Sequence, residues 1–435
     1  MVTDADFTSA ADNSRRPFGF WTATALVVGG MIGSGVFLVP SALAPYGWTG
    51  VVAWVVRIAG TLAIGWTLSR LAATMPDVSG AIAVTAAVIG PLPGVLVGWS
   101  YWVAVWSANA AIAIAATSYL AALYPPVAAT PVTGALVAVG LIWALTALNL
   151  AGARRAGEFQ VVTTVLKLLP LLAVVAIAAG VGRSVPVTLS PLPSPRGLVT
   201  GLESAVTLTL FALVGFEAAA IAAGRVRDAA RTVLRATMAG TVVTGVLYLI
   251  VCSAIVLLLP PRAVAASPAP FALFVATFWG QAAAFGVALF AAIAAIGALN
   301  GWVLIQGELP LGMARAGLLP RWFARTSARD VPVRVLLLSS ALASALVLVN
   351  ASRSLGGMFT AAMLLSTCAT LWLYVAILVA ALARRVAVVT ATGGLAFTAV
   401  AFWGAGAEAA GLSVVLMLTA LPVYALRGAA RKQAA

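Results

Sequence analysis

Residues 29–35 read Gly-Gly-Met-Ile-Gly-Ser-Gly, in the middle of an otherwise apolar run from residue 18 to residue 44. A run of that length can cross a bilayer, which needs roughly 20 apolar residues. Glycine frees backbone groups that lipid cannot satisfy, so irregular backbone at this depth survives only where it lines a cavity. A second interruption, Phe211-Ala212-Leu213-Val214-Gly215-Phe216-Glu217, puts a glycine and a carboxylate at similar depth in the run 198–223. Gly33 and Gly215 lie 182 residues apart, about the length of five helices with their loops. Paired interruptions at matching places in two halves predict an inverted repeat, with a solute bound where the breaks meet. Close helix packing through small residues is the competing account of Gly33, Ser34 and Gly35. A second break that carries a buried carboxylate favours the site.

Around these two runs the chain is 63% hydrophobic and 8% charged over 435 residues, whereas soluble domains are about a quarter charged. Long uninterrupted stretches such as 242–259 exclude a transmembrane barrel, whose strands alternate over short segments. The expected fold is an all-α membrane protein of about twelve spans. They fall at 18–44, 48–73, 91–123, 131–151, 158–182, 198–223, 231–260, 268–300, 333–350, 356–383, 386–404 and 407–426. The expected organisation is an N-terminal tail (1–17), a first repeat of spans 1–5 (18–182), a second of spans 6–10 (198–383), spans 11–12 (386–426) and a C-terminal tail (427–435).

The net charge of +14 might indicate nucleic acid, but its distribution argues against that. With the N-terminus inside, 19 of the 25 Lys and Arg fall in inner segments and 4 in outer loops, leaving Arg57 and Lys167 within spans. This is the positive-inside bias. It predicts an inner-membrane, multi-pass protein with both termini cytoplasmic, the lipid bilayer as its surroundings and no nucleic-acid partner. The polar first 16 residues lead into span 1 without a small-residue cleavage site, so span 1 is expected to stay in the mature protein. Cys252 and Cys368 lie in apolar runs and read as small hydrophobes. There is no histidine. That excludes His-based zinc sites and Ser/His dyads, and no phosphate-binding loop occurs. The expectation is therefore no enzyme, no metal and no cofactor.

GGMIGSGVFLVP (29–40) resembles the first helix of the amino acid–polyamine–organocation superfamily. GPLPGVLVGWSYWVAVWSANAA (90–111), LFALVGFEAAAIAAG (210–224) and GMARAGLLPRWFA (312–324) extend the resemblance over nearly the whole chain. Within the superfamily the chain is most similar to the basic amino acid/polyamine antiporter group, and especially to its arginine/agmatine exchangers. The resemblance implies a leucine-transporter-type fold of five plus five inverted helices, with discontinuous helices 1 and 6 and two added helices. It also implies a pocket. The backbone of Gly33-Ser34-Gly35, with Gly30 and Ile32 beside it, would receive the substrate carboxylate. Carbonyls around Phe211, Ala212 and Val214 would receive the α-ammonium. Asn109 and Trp302 match residues that hold and stack on the guanidinium, and Tyr101 and Glu217 match gating and coupling positions.

Several positions depart from the group. Gly30 replaces an asparagine, Phe211 a gating tryptophan, Ala212 a serine and Ile112 a methionine, and a pocket serine of helix 10 aligns near Leu364. These losses of polar contacts weaken the case for arginine without disturbing the transport reading.

Read from the residues alone, a zwitterion entering a low-dielectric site needs compensation at both ends. Half-helix termini provide it, with free N–H groups for the carboxylate and free carbonyls for the ammonium. Tyr101, Val105, Ala108, Asn109 and Ile112 fall on one arc of span 3, with Ala104 beside them, and suit a ligand wall. A helix–helix hydrogen bond is the alternative for Asn109. Trp302 can stack on a cation. Glu217 is the leading coupling residue, because intramembrane carboxylates usually mark a pathway or proton relay. Lys167 is the second, and proton-coupled superfamily members carry a lysine that resembles a replacement for a sodium ion. Its alternative is a fixed charge that locks helix 5 against the helix 1 break. Arg57 is expected to snorkel to the outer interface.

The expected function is secondary amino acid transport by alternating access, with arginine/agmatine or a similar basic amino acid/polyamine exchange leading. Proton symport of neutral amino acids is the runner-up, and a channel or membrane receptor is remote. Substrate, protons and a second copy of the chain, as a homodimer, are the candidate partners.

Overall fold

Without water to satisfy backbone groups, each apolar run must close its hydrogen bonds on itself, and the alanine- and leucine-rich runs do so as helices. The computed structural model describes residues 19–33, 35–75, 81–151, 163, 166–184, 194–199, 201–216 and 228–432. No strand occurs among them. In chain order the helices are α1 (Phe20–Met31), α2 (Gly35–Leu43), α3 (Trp48–Ala73), α4 (Ala81–Ile89), α5 (Pro91–Leu123), α6 (Pro131–Leu150), α7 (Leu169–Ser184), α8 (Pro195–Val199) and α9 (Leu202–Leu210). The second half holds α10 (Ala229–Leu258), α11 (Pro261–Ala266), α12 (Pro270–Trp279), α13 (Gln281–Arg315), α14 (Val333–Val349), α15 (Leu355–Ala383), α16 (Val388–Leu418) and α17 (Ala420–Lys432).

Among the described residues, 8 helical stretches are long and apolar enough to cross a membrane, one of them Pro195–Leu213 through α8 and α9, and Phe20–Met31 with Gly35–Tyr46, bent by 47°, makes a ninth. The break at Gly406 (φ 81°) divides α16 into two arms, and the shorter apolar helices α7 and α14 take the remaining places. Counted so, the described residues give about twelve segments, the number expected, with residues 158–162 of span 5 and 217–223 of span 6 outside the described residues. One boundary is corrected. Span 8 does not run 268–300 but is split at Gly280 into the short α12 and the long α13, which continues to Arg315. Glycine at residue 280 holds φ 84° and ψ 176°, backbone that side chains rarely adopt, and the apolar residues on both sides hid this turn from hydropathy.

That turn has a twin. Gly90 (φ 104°, ψ 164°) joins short α4 to long α5 as Gly280 joins short α12 to long α13. In both halves a broken span is followed by a long helix, a short apolar one, a glycine turn and the longest helix of that half, with the six-residue α11 inserted in the second. α5 is the central post, buried along almost all of its span window and packed chiefly on α13 and α15. Small residues let these helices approach closely: a Cβ on Gly98 would meet the Met313 side chain, and one on Gly94 would meet Ala86.

The two breaks meet main chain to main chain. Gly215 has φ 109°, and a Cβ there would lie 2.7 Å from the Gly30 carbonyl oxygen. Gly215→Ala should therefore cost about 1–3 kcal/mol in backbone strain alone, besides forcing the breaks apart. Gly140, with open space around its Cα, is the control. Thermal unfolding in detergent should show a lowered Tm for Gly215→Ala and almost no change for Gly140→Ala.

Candidate functional site

α1 stops because its last turn loses its donors. Gly33 N–H bonds Met31 O at 2.8 Å instead of reaching Gly29 O, four residues back. α9 stops in the same way. Val214 N–H turns to Phe211 O at 3.4 Å instead of Leu210 O, and Val214 itself is extended (φ −68°, ψ 140°). Each break thus strips one carbonyl of its helical partner, and buried carbonyls require replacements. Lys167 Nζ donates to Gly29 O at 2.7 Å, and the Tyr248 hydroxyl donates to Met31 O at 2.9 Å. Arg57 donates to Leu210 O at 3.0 Å.

Arg57 is a correction to the sequence reading. It does not snorkel: it is fully buried, with its guanidinium 5.8 Å from the centre of the Phe397 ring. Position along the chain placed it near an interface. Only the packing of α3 between α9 and α16 turned it inward. Lys167 is likewise buried and bonded to the helix 1 break, which is the contact its fixed-charge alternative requires.

Past the break, α2 begins at Gly35, and the first-turn amides of a helix have no partner within the helix, the arrangement that suits an anion. Gly35 lets Phe211 and Ala212 approach closely, since a Cβ there would lie 3.0 Å from each. Between the breaks and α5 lies a cavity of about 20 Å³, room for about one water. Its lining includes Gly30, Gly33, Gly35, Tyr101, Ala104, Val105, Ile112, Phe211, Val214 and Trp302 from the expected set. Ala108, from the expected arc of span 3, lines it too, and Met31, Ser366 and Thr370 complete it. Ile32 and Ala212 sit in the adjoining wall and are not among the lining residues. Ser34 and Glu217 lie outside the described residues.

Asn109 is also absent from the lining. Its Nδ2 donates to Gln306 Oε1 at 2.7 Å, and Gln306 Nε2 donates onward to Ser340 at 2.8 Å. This is the helix–helix hydrogen bond weighed as its alternative. The helix 10 register is corrected as well. Leu364 borders a separate, larger vestibule, and the helix 10 hydroxyls at the cavity belong to Ser366 and Thr370. Their i, i+4 spacing in an apolar helix was a legible signal that the sequence reading did not use. Ser366 donates to Ala104 O at 2.8 Å and Ser100 to Ala369 O at 2.9 Å, clipping α15 to α5 in both directions.

The vestibule is a cavity of about 1060 Å³ on the side of the arginine-poor loops, bordered by Ser41, Asn350, Arg353, Phe359 and Glu408. Phe211 of the inner cavity meets Phe359 of the vestibule edge to face, with ring centres 6.0 Å apart. An aromatic pair therefore stands between the two spaces. No cluster of three His, Cys, Asp or Glu able to hold a metal occurs among the described residues.

Broken spans whose main chains meet beside a small cavity, with an aromatic pair towards a vestibule, are the architecture of a solute carrier. Residues 18–430 match the amino acid permease family. The chain belongs to that family. It is 31% identical over 348 residues to the cadaverine/lysine antiporter of Escherichia coli K12, covering 79% of this chain and 78% of that one. A putative arginine/ornithine antiporter of Bacillus subtilis is 30% identical over 372 residues, 78% of each chain. The putrescine transporter PotE of Escherichia coli K12 is 26% identical over 336 residues, 77% of this chain and 76% of that one. The permease chain is thus a multi-pass membrane protein of an amino acid and polyamine transporter group.

Lys167→Met would leave the Gly29 carbonyl buried without its ammonium, at a cost of about 1–3 kcal/mol. A lowered Tm with correct membrane insertion is expected. An unchanged Tm would mean that the contact contributes nothing.

Proposed function

We propose that this permease exchanges a basic amino acid for another cationic amine across the cell membrane, by alternating access about the two breaks, with arginine/agmatine as the leading pair. The observation that carries the reading is the meeting of Gly215 with Gly30 and Met31 beside the α2 terminus. It brings main chain from both breaks and the start of α2 beside one small space, and helix termini of this kind complement an α-ammonium and an α-carboxylate. The carboxylate goes to the Gly33–Gly35 backbone and the ammonium to the carbonyls around Phe211 and Val214. The cationic end of the side chain lies towards Trp302 and Tyr101, held by ring faces and by the hydroxyls of Ser366 and Thr370. The relatives' named substrates, lysine with cadaverine, arginine with ornithine, and putrescine, favour a dibasic solute.

At about 20 Å³ the cavity is too small for any of these solutes. In this reading the Phe211–Phe359 pair parts to admit one, and the cavity closes again around it. Glu217, taken from the sequence alone, is the coupling carboxylate.

A second reading, proton-coupled uptake of a neutral amino acid, is favoured by the Lys167–Gly29 contact. Counterflow into proteoliposomes separates the two. Labelled arginine or lysine should enter only when unlabelled arginine, agmatine, lysine, cadaverine or putrescine is inside. Uptake into empty vesicles driven by a proton gradient, with neutral amino acids preferred, would replace the exchange reading. Glu217→Ala should abolish exchange while the protein stays inserted. Trp302→Leu should raise the KM for a cationic substrate about two- to thirtyfold, the loss of one cation–π contact. Normal flux in the first variant or an unchanged KM in the second would remove that residue from the mechanism.

A further inference from the structure

The two stripped carbonyls occupy equivalent places. Gly29 and Leu210 each lie four residues before the one that leaves the helix, and they are 181 residues apart, beside the 182 that separate Gly33 from Gly215. Each receives a buried basic side chain, Lys167 on the first and Arg57 on the second. The carbonyl end of a helix carries partial negative charge, so a cation fixed there stabilises a helix that stops in mid-membrane. The Lys167 contact belongs to the helix 1 break. Arg57 provides the same service at helix 6 from a different helix, and it reaches one helix further.

That further helix is α16. Its Phe397 ring lies against Gly60, one turn along α3 from Arg57, where a Cβ would strike the ring. The contact ends a seam between α9 and α16 that runs antiparallel. Gly404 leaves room for the Glu203 carbonyl, and Thr207 donates to Ala401 O at 2.9 Å. Leu210 meets Phe397 through Arg57. The steps 203, 207, 210 on one helix and 404, 401, 397 on the other follow single helical faces. Phe211, which lines the cavity, is the next residue after the seam.

We propose that Arg57 is a positioning residue that ties the break end of α9 to α3 and α16, so that these helices form one wall from which Phe211 closes over the substrate. The inference deepens the exchange reading and rests on it for its kinetic test. The contacts that carry the proposal run from Arg57 to Leu210 and Phe397, neither of which lines the cavity, and the effect of its loss is therefore placed on turnover.

Counterflow kinetics should be measured for the wild-type permease, Arg57→Met, Arg57→Lys and Phe397→Leu, normalised to inserted protein. Arg57→Met is expected to lose at least tenfold in maximal exchange with KM within threefold. Arg57→Lys should regain at least a third of the wild-type rate, and Phe397→Leu should fall between them. Hydrogen exchange over residues 202–216, read on the same proteins, should be at least tenfold faster in Arg57→Met. A maximal rate within twofold of wild type overturns the proposal. So does a KM change at constant rate, a lysine variant no better than the methionine one, or unchanged hydrogen exchange. If Arg57→Met fails to insert, Thr207→Val combined with Phe397→Leu carries the test with the same criteria. Absence of exchange in the wild type tells against the transport reading instead, and hydrogen exchange then decides the role of Arg57 alone.

Discussion

Two stretches of main chain are held against each other in the middle of an apolar protein, and the site is built around that contact. Gly215 at φ 109° and the Gly30–Met31 peptide approach so closely that no side chain fits between them. Continuous helices would satisfy every backbone group and leave nothing for a solute. Stopping both helices at the same depth strips carbonyls and amides of their partners where water cannot replace them. The protein must then either satisfy those groups itself or leave them for a ligand, and it does some of each. The Lys167, Tyr248 and Arg57 side chains take the carbonyls on the outer margins of the breaks. The α2 terminus still faces the cavity.

This division explains where the buried cations sit. Charge inside a bilayer costs several kcal/mol unless it meets a compensating group, and the negative end of a half-helix is one that comes with the break. In these contacts Lys167 and Arg57 serve the backbone of the breaks. They leave the cavity lining to glycine, apolar side chains, the hydroxyls of Ser366 and Thr370, and the rings of Tyr101, Phe211 and Trp302. A lining of that kind suits a solute that brings its own charges, with the ring faces towards its cationic end.

The central helix α5 gives the moving parts a reference. Its buried alanines and glycines pack on α13 and α15, and hydroxyl clips from Ser100 and Ser366 fix it to α15 in both directions. On its far side the Asn109–Gln306–Ser340 chain ties α5 to α13 and α14. One face of α5 is therefore committed to scaffold and the adjoining face to the cavity. The Phe211–Phe359 pair lies where this scaffold meets the helix 6 break, between a space for one water and a vestibule fifty times larger.

By itself the sequence determined that the chain is an all-α membrane protein of about twelve spans, that spans 1 and 6 are interrupted, and that the interruptions matter. Each follows from local chemistry, either from the length of apolar runs or from glycine where lipid permits no open backbone. Most of the cavity wall was legible too, because Tyr101, Val105 and Ile112 fall on one arc of a helix whatever surrounds it. Only the tertiary structure decided which way a polar residue near the edge of an arc turns. Asn109 and Ala108 are neighbours in sequence, yet one bonds α13 and the other lines the cavity. The same holds for Arg57, whose inward course depends on α9 and α16, elements 150 and 340 residues away along the chain. A helical pattern fixes the angle of a side chain about its own axis, but a hydrogen-bond partner on another helix is set by packing that no local pattern encodes.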